Sequence, residues 1–171
     1  MELSEIDKQR LNEAMVNESW LFLEDVLPVE FGWDLPVYYL QHCADNEIGR
    51  PIGNLSYQLE GAHNIKDING VIEELNKHLR NKIIDADIFL SFAKRSTSHP
   101  PHVDEHNVLL WQALGVSELS VFVDETTVIK REMRQGDLVY LPWYQKHEMK
   151  PVTARATVSF GLETPKEKDN D

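Results

Sequence analysis

Residues 99–115 read HPPHVDEHNVLLWQALG. Three histidines and two acids crowd the first eight positions, and an almost wholly apolar run follows at once. Polar side chains of that kind at the mouth of a buried strand need a reason. On an extended chain alternate residues share a face. His102 and Asp104 would then point together and Val103 away. An imidazole and a carboxylate two residues apart on one face can bind one metal ion. The same H-x-D triplet in a polar loop can equally be a solvated turn. The run NVLLWQALG that follows reads as a buried strand.

On both sides of this stretch the chain keeps β character. From IIDADIFLSFAKR (83–95) onward, short β-type runs alternate with turn signals such as STSHPP, LGVS, VDET, RQGD and LPWYQ. The pattern predicts strands over 84–93, 101–104, 107–113, 118–123, 126–132, 137–141, 145–151 and 154–162. Roughly eight short strands in about 80 residues match a small jelly roll rather than β-α-β units.

The first part of the chain reads differently. Residues 3–26 are expected to be helical, with Ser4 as cap and Ile6, Leu11, Met15, Trp20 and Leu23 near helical spacing. FGWDLPVYYLQH and NEIGRPIGNLSYQLEG, punctuated by Gly and Pro, read as loops with short strands. Residues 65–81 give the clearest helix, with Ile68, Val71, Ile72, Leu75 and Leu79 on one stripe. The expected organisation is an N-terminal helical and irregular subdomain (1–82), a β core (83–163) and a polar tail (164–171).

Bulk properties narrow the function classes. The chain has 171 residues and a net charge of −12. It lacks the excess of basic residues with which a sequence-independent nucleic-acid binder neutralises phosphates, so no nucleic-acid partner is expected. The single cysteine, Cys43, rules out an intramolecular disulfide and a four-thiolate zinc site. It suits a reducing cytoplasm. The charged N-terminus MELSEIDKQRLNEA has no apolar core of a signal peptide, and no apolar run has the ~20 residues that span a bilayer. No membrane association is expected, and no surface patch demands a homodimer.

A third metal-binding group is available far downstream. His147 lies in GDLVYLPWYQKHEM, after a strand that Pro142 ends. Two histidines and one carboxylate form the set that holds non-haem Fe(II) on one face and leaves other positions open; the same donors also accept Mn or Zn. Only a fold that brings distant strands together would join His147 to His102 and Asp104.

Gly136-Asp137-Leu138-Val139-Tyr140-Leu141-Pro142 followed by His147 resembles the second motif of the cupins, and H-x-D with a distal His resembles the cupin-type, JmjC-like Fe(II)/2-oxoglutarate oxygenases. Asn107, Gln112 and Gly115 are similar to that family's strand after the triplet. The resemblance covers about residues 84–162. It implies a double-stranded β-helix core with N-terminal helices. It also implies a dioxygenase that uses Fe(II), 2-oxoglutarate and dioxygen to hydroxylate a small molecule, an amino acid or a peptide side chain. His102, Asp104 and His147 would be the metal ligands and catalytic centre.

The family anchors the far carboxylate of 2-oxoglutarate with a basic or hydroxyl group. JmjC-like members often carry a Lys or Arg just after the glycine matching Gly115; this chain has Val116, Ser117 and Glu118 there. Other branches carry Arg-x-Ser after the distal His, and Arg155-Ala156-Thr157 is similar to it. Arg155 would fork onto the carboxylate and Thr157 would add a bond, since both share a strand face. The other reading of Arg155 is an exposed charge on an edge strand. Asn107 would bond the chelating carboxylate or serve as a turn residue.

Around these, His106 reads as a turn cap or a substrate contact, and His99 and Glu105 as loop. Lys94 and Arg95 read as a solvated pair or as a charged rim to the mouth, and Trp111, Tyr140 and Trp143 read as core or pocket wall. His42, His63 and His78 read as surface. The rival functions are a metal-binding cupin without 2-oxoglutarate turnover, either isomerase-like or a small-acid sensor, and a metal-free interaction module.

Overall fold

A computed structural model describes residues 3–94 and 99–163. Arg95 and the tail 164–171 lie outside the described residues. Helix α1 (Glu5–Val16) starts where the Ser4 hydroxyl accepts the Asp7 N–H, 3.1 Å away, and satisfies one of the donors a helix start leaves open. It ends well before the expected residue 26. Glu18 takes a positive φ of 49°, and Leu21–Leu23 pairs as β1 with a distant strand. Sheet pairing of that apolar triplet outweighs its helical spacing. Ile6, expected on the buried stripe, is exposed.

Asp34–Asp45 forms α2, where loops and strands were expected. Pro36 lies in its first turn, where the missing N–H would have had no partner in any case. The hairpin β2 (Arg50–Gly53) and β3 (Ser56–Leu59) follows, then a short 3-10 turn at Ala62–Asn64. Helix α3 (Lys66–Asn76) buries Ile68, Val71, Ile72 and Leu75, each contributing roughly 1.5–3 kcal/mol of transfer free energy.

The expected separate strands of the C-terminal half merge into longer ones. They are β4 (Ile83–Ser91), β5 (Val108–Phe122), β6 (Val128–Met133), β7 (Leu138–Leu141) and β8 (His147–Leu162). The run 101–104 is reduced to one bridge between His102 and His147. The LGVS segment, read as a turn, is a register irregularity inside β5. Gly115 makes it feasible. Its φ is +70°, and a β-carbon there would lie 1.8 Å from the Ala154 carbonyl oxygen. On the facing strand Pro151 is tolerated beside the irregularity, and the Thr153 hydroxyl accepts the Val116 N–H.

Among the described residues eight strands form one sheet in the order β1-β7-β5-β8-β4-β3-β2, with β6 on β5. The two halves of β5 have different neighbours. Val108–Trp111 pairs with β7, and Val108–Gly115 with the C-terminal half of β8. Ser117–Phe122 pairs with β6, and Ser117–Val121 with the N-terminal half of β8. The strands so pass from one layer to the other, as in a double-stranded β-helix. The N-terminal part adds β1 at one edge and β2 and β3 at the other.

Two apolar clusters follow the two faces. Leu109, Trp111, Val158 and Phe160 pack with residues of α1 and α3. Val108 and Leu110 instead pack with Leu119, Val121, Val139 and Met149 inside the barrel. The period of two in β5 therefore separates the helical side from the interior. In β8 the helical side takes Ala156, Val158 and Phe160, which leaves Arg155, Thr157 and Ser159 on the barrel side. No helix among the described residues is long and apolar enough to cross a membrane.

Candidate active site

The structure brings His102, Asp104 and His147 together. One ligating atom from each lies within 4.8 Å of the others. The bridge between the two histidines carries both reciprocal backbone hydrogen bonds, at 3.0 and 2.8 Å. Asp104 completes the group, its Oδ1 3.5 Å from His102 Nε2 and its Oδ2 3.6 Å from His147 Nε2.

Backbone carbonyls set which nitrogen each ring presents. His102 Nδ1 lies 2.8 Å from the Pro100 oxygen, and His147 Nδ1 lies 3.0 Å from the Gln145 oxygen. A carbonyl only accepts, so each Nδ1 carries a proton and each ring turns its Nε2 toward Asp104, where that nitrogen, once deprotonated, offers its lone pair to a metal ion. Outer acceptors of this kind hold metal-binding histidines in orientation. The Asp104 carboxylate, as hydrogen-bond acceptor, raises the His102 pKa, while burial lowers that of His147. Two lone-pair nitrogens and one carboxylate at this separation fit a divalent ion of the non-haem iron type.

The triad stands at one end of a narrow slot of about 50 Å3, whose walls include Phe89, Leu110, Met149 and Ser159. Arg155 and Thr157 line the same slot. Arg155 is 1% exposed, and β8 lies between β5 and β4, so the edge-strand reading of this residue is excluded. Its Nη1 donates to the Thr157 hydroxyl at 2.9 Å. Burial pushes the Arg155 pKa down to about 10, which keeps the guanidinium charged at neutral pH.

The slot adjoins an open groove of about 380 Å3, lined by Arg50, Asp85, Asp87, Glu105 and His106 among others, and shares Phe89, His99 and Ser159 with it. His102 and Asp104 border both spaces.

Other expected residues are placed elsewhere. Asn107 is buried, its Oδ1 accepts the Trp143 N–H at 2.9 Å, and it lines neither the slot nor the groove. Trp111 and Tyr140 are core residues, whereas Trp143 is 51% exposed. His99, read as loop, borders both the slot and the groove; its ring packs against His102 and Phe89 at centroid distances of 5.5 and 5.8 Å. Phe89 and Met149 carry no sequence signal beyond their strand positions. Gln112 meets Thr157 across the strand pair.

No protein-family model matches the chain, and no curated protein matches its sequence. Solved structures do match. Ribosomal oxygenase YcfD of Escherichia coli superposes with a TM-score of 0.71 at 18% identity, over 96% of this chain and 54% of that one. YcfD is also solved in complex with cobalt and 2-oxoglutarate. A Pseudomonas putida prolyl-4-hydroxylase matches with a TM-score of 0.64 at 12% identity, over 91% and 98% of the two chains. A Trichoplax adhaerens prolyl hydroxylase, solved with a hypoxia-inducible-factor peptide fragment, matches at 0.61 and 10% identity, over 92% and 89%.

The chain thus spans about half the length of YcfD and most of that of the prolyl hydroxylases. Its fold is the double-stranded β-helix that YcfD and these prolyl hydroxylases share.

Proposed function

We propose that the chain is an Fe(II)- and 2-oxoglutarate-dependent oxygenase that hydroxylates a small molecule, an amino acid or a peptide side chain. One observation carries the reading. A two-histidine, one-carboxylate cluster stands at one end of a slot that also holds a buried guanidinium, inside the fold these oxygenases use. A metal-binding cupin without 2-oxoglutarate turnover would keep the cluster but has no use for Arg155.

His102 Nε2, the Asp104 carboxylate and His147 Nε2 would hold the metal, which supplies dioxygen activation coupled to decarboxylation of 2-oxoglutarate. Gln145 and Pro100 keep the two rings turned toward it through their carbonyls. Arg155 would receive the far carboxylate by charge-assisted hydrogen bonds. Phe89 and Met149, which wall the slot, would pack against the carbon chain of a bound five-carbon diacid. The groove beside His102 and Asp104 is where the substrate would lie. The lone buried Cys43 suits a reducing compartment such as the cytoplasm.

Metal analysis and anaerobic titration test this reading. Fe(II) with 2-oxoglutarate is expected to give a weak visible charge-transfer band and to raise the melting temperature by ligand linkage. Release of carbon dioxide from 2-oxoglutarate in air is the matching activity. Stabilisation by Fe(II) with no response to 2-oxoglutarate would leave a plain metal-binding cupin. No response to any divalent ion would overturn both.

A further inference from the structure

A hydrogen-bond chain runs from Arg155 across to β5, and its direction is determined. Gln112 is fully buried and stands opposite Thr157 in the β5–β8 register. Its Nε2 donates to the Leu114 carbonyl at 2.7 Å. A backbone carbonyl has no proton to give, so the amide nitrogen must face it and Oε1 must face Thr157. Thr157 Oγ1 lies 2.9 Å from that Oε1, which can only accept. The one hydroxyl proton of Thr157 is therefore donated to Gln112. The Thr157 oxygen is left as an acceptor, and Arg155 Nη1 fills it at 2.9 Å.

We propose that Gln112 is a positioning residue for the anionic end of the slot. Through Thr157 it fixes the rotational setting of the Arg155 guanidinium. It also commits the Thr157 hydroxyl, so that Arg155 and not Thr157 meets a bound carboxylate. This rests on the 2-oxoglutarate reading above. Gln112 does not line the slot. It acts on the anion only by way of Thr157 and Arg155, which are 1% exposed. An arginine has several rotatable bonds, and a buried chain of directed hydrogen bonds holds its planar fork ready before the anion arrives.

The test is a binding cycle on the full chain, with Co(II) and 2-oxoglutarate titrated separately by calorimetry. Gln112→Met is expected to weaken 2-oxoglutarate by roughly tenfold, the low end for loss of an outer-shell partner, and to leave Co(II) affinity unchanged. Thr157→Val is expected to weaken it comparably. The double variant should be no worse than Thr157→Val alone, because Gln112 has no other route to the anion. Unchanged 2-oxoglutarate affinity in Gln112→Met, additive losses, or a parallel loss of Co(II) would overturn the proposal.

Gln112 is buried, and the unaltered protein offers a second test that needs no variant. In the Zn(II)-loaded protein the Thr157 hydroxyl proton should show a nuclear Overhauser contact to the Gln112 amide that persists when 2-oxoglutarate binds. Loss of that contact, with the proton passed to the diacid, would sink the assignment. Failure of the unaltered protein to bind 2-oxoglutarate would instead remove the functional reading itself, and this inference with it.

Discussion

The two ends of the slot are built by different means. At the triad end, His102 and Asp104 stand on a segment that pairs through a single bridge, and their side chains remain 36% and 26% exposed. At the Arg155 end, every group lies on a long central strand and is essentially closed to solvent. The difference follows from what each end would have to do. On the proposed reading, metal, dioxygen and substrate would come and go at the first. The second needs only a fixed charge in a dry place, which strengthens any ion pair made there.

His147→Ala strikes the triad at its most buried member. It removes one of three ligating atoms and the ring that the Gln145 carbonyl orients. Divalent-metal binding, read by calorimetry with Co(II), is expected to disappear. Retained affinity would mean that the cluster is a hydrogen-bonded turn and not a metal site.

Gly115→Ala strikes the other end through the backbone. The new methyl group would meet the Ala154 carbonyl oxygen at 1.8 Å, directly beside Arg155 in the register, and Gly115 has a positive φ. Overpacking and left-handed strain together should cost roughly 3 kcal/mol in urea unfolding. A cost under ~1 kcal/mol would show that β5 and β8 can slide past each other here.

Arg155→Met tests the charge without disturbing the strand. Loss of charge-assisted hydrogen bonds of about 1.5–3 kcal/mol corresponds to a 2-oxoglutarate affinity roughly 10- to 100-fold weaker. Co(II) affinity should hold, because Arg155 is absent from the cluster of metal-ligating groups. If both affinities fell together, the two ends would not be separable.

The same contrast governs what the sequence discloses. The triad end is announced by residue type, since H-x-D before an apolar run and a late histidine are unusual in themselves. The Arg155 end is legible only as a period of two, Arg155-Thr157-Ser159 against Ala156-Val158-Phe160. Whether that face looked inward depended on neighbours far along the chain. Gln112 needed the register of β5 on β8 and a carbonyl two residues away. His99 needed the packing of Phe89 and His102 around it. The errors in the fold have the same origin. β1 lies within a helical spacing and is drawn into the sheet by β7. The LGVS turn signal marks a glycine that lets a strand continue, because a close approach to Ala154 needs the same missing side chain as a turn.

Asn107→Ala probes the boundary between the ends with the smallest expected effect. Asn107 immediately precedes β5, and its Oδ1 takes the Trp143 N–H of the β7–β8 turn. That turn also contains Gln145, whose carbonyl orients the His147 ring and whose Nε2 donates to the Phe122 oxygen at 2.9 Å. Removing the amide leaves one backbone N–H without its partner, a loss of about 1 kcal/mol in unfolding free energy. Because Asn107 lines neither space, 2-oxoglutarate affinity should not change. A drop in that affinity at full stability would place Asn107 on the cosubstrate after all. A drop in Co(II) affinity would show that the turn, and not the strand pair, holds His147 in place.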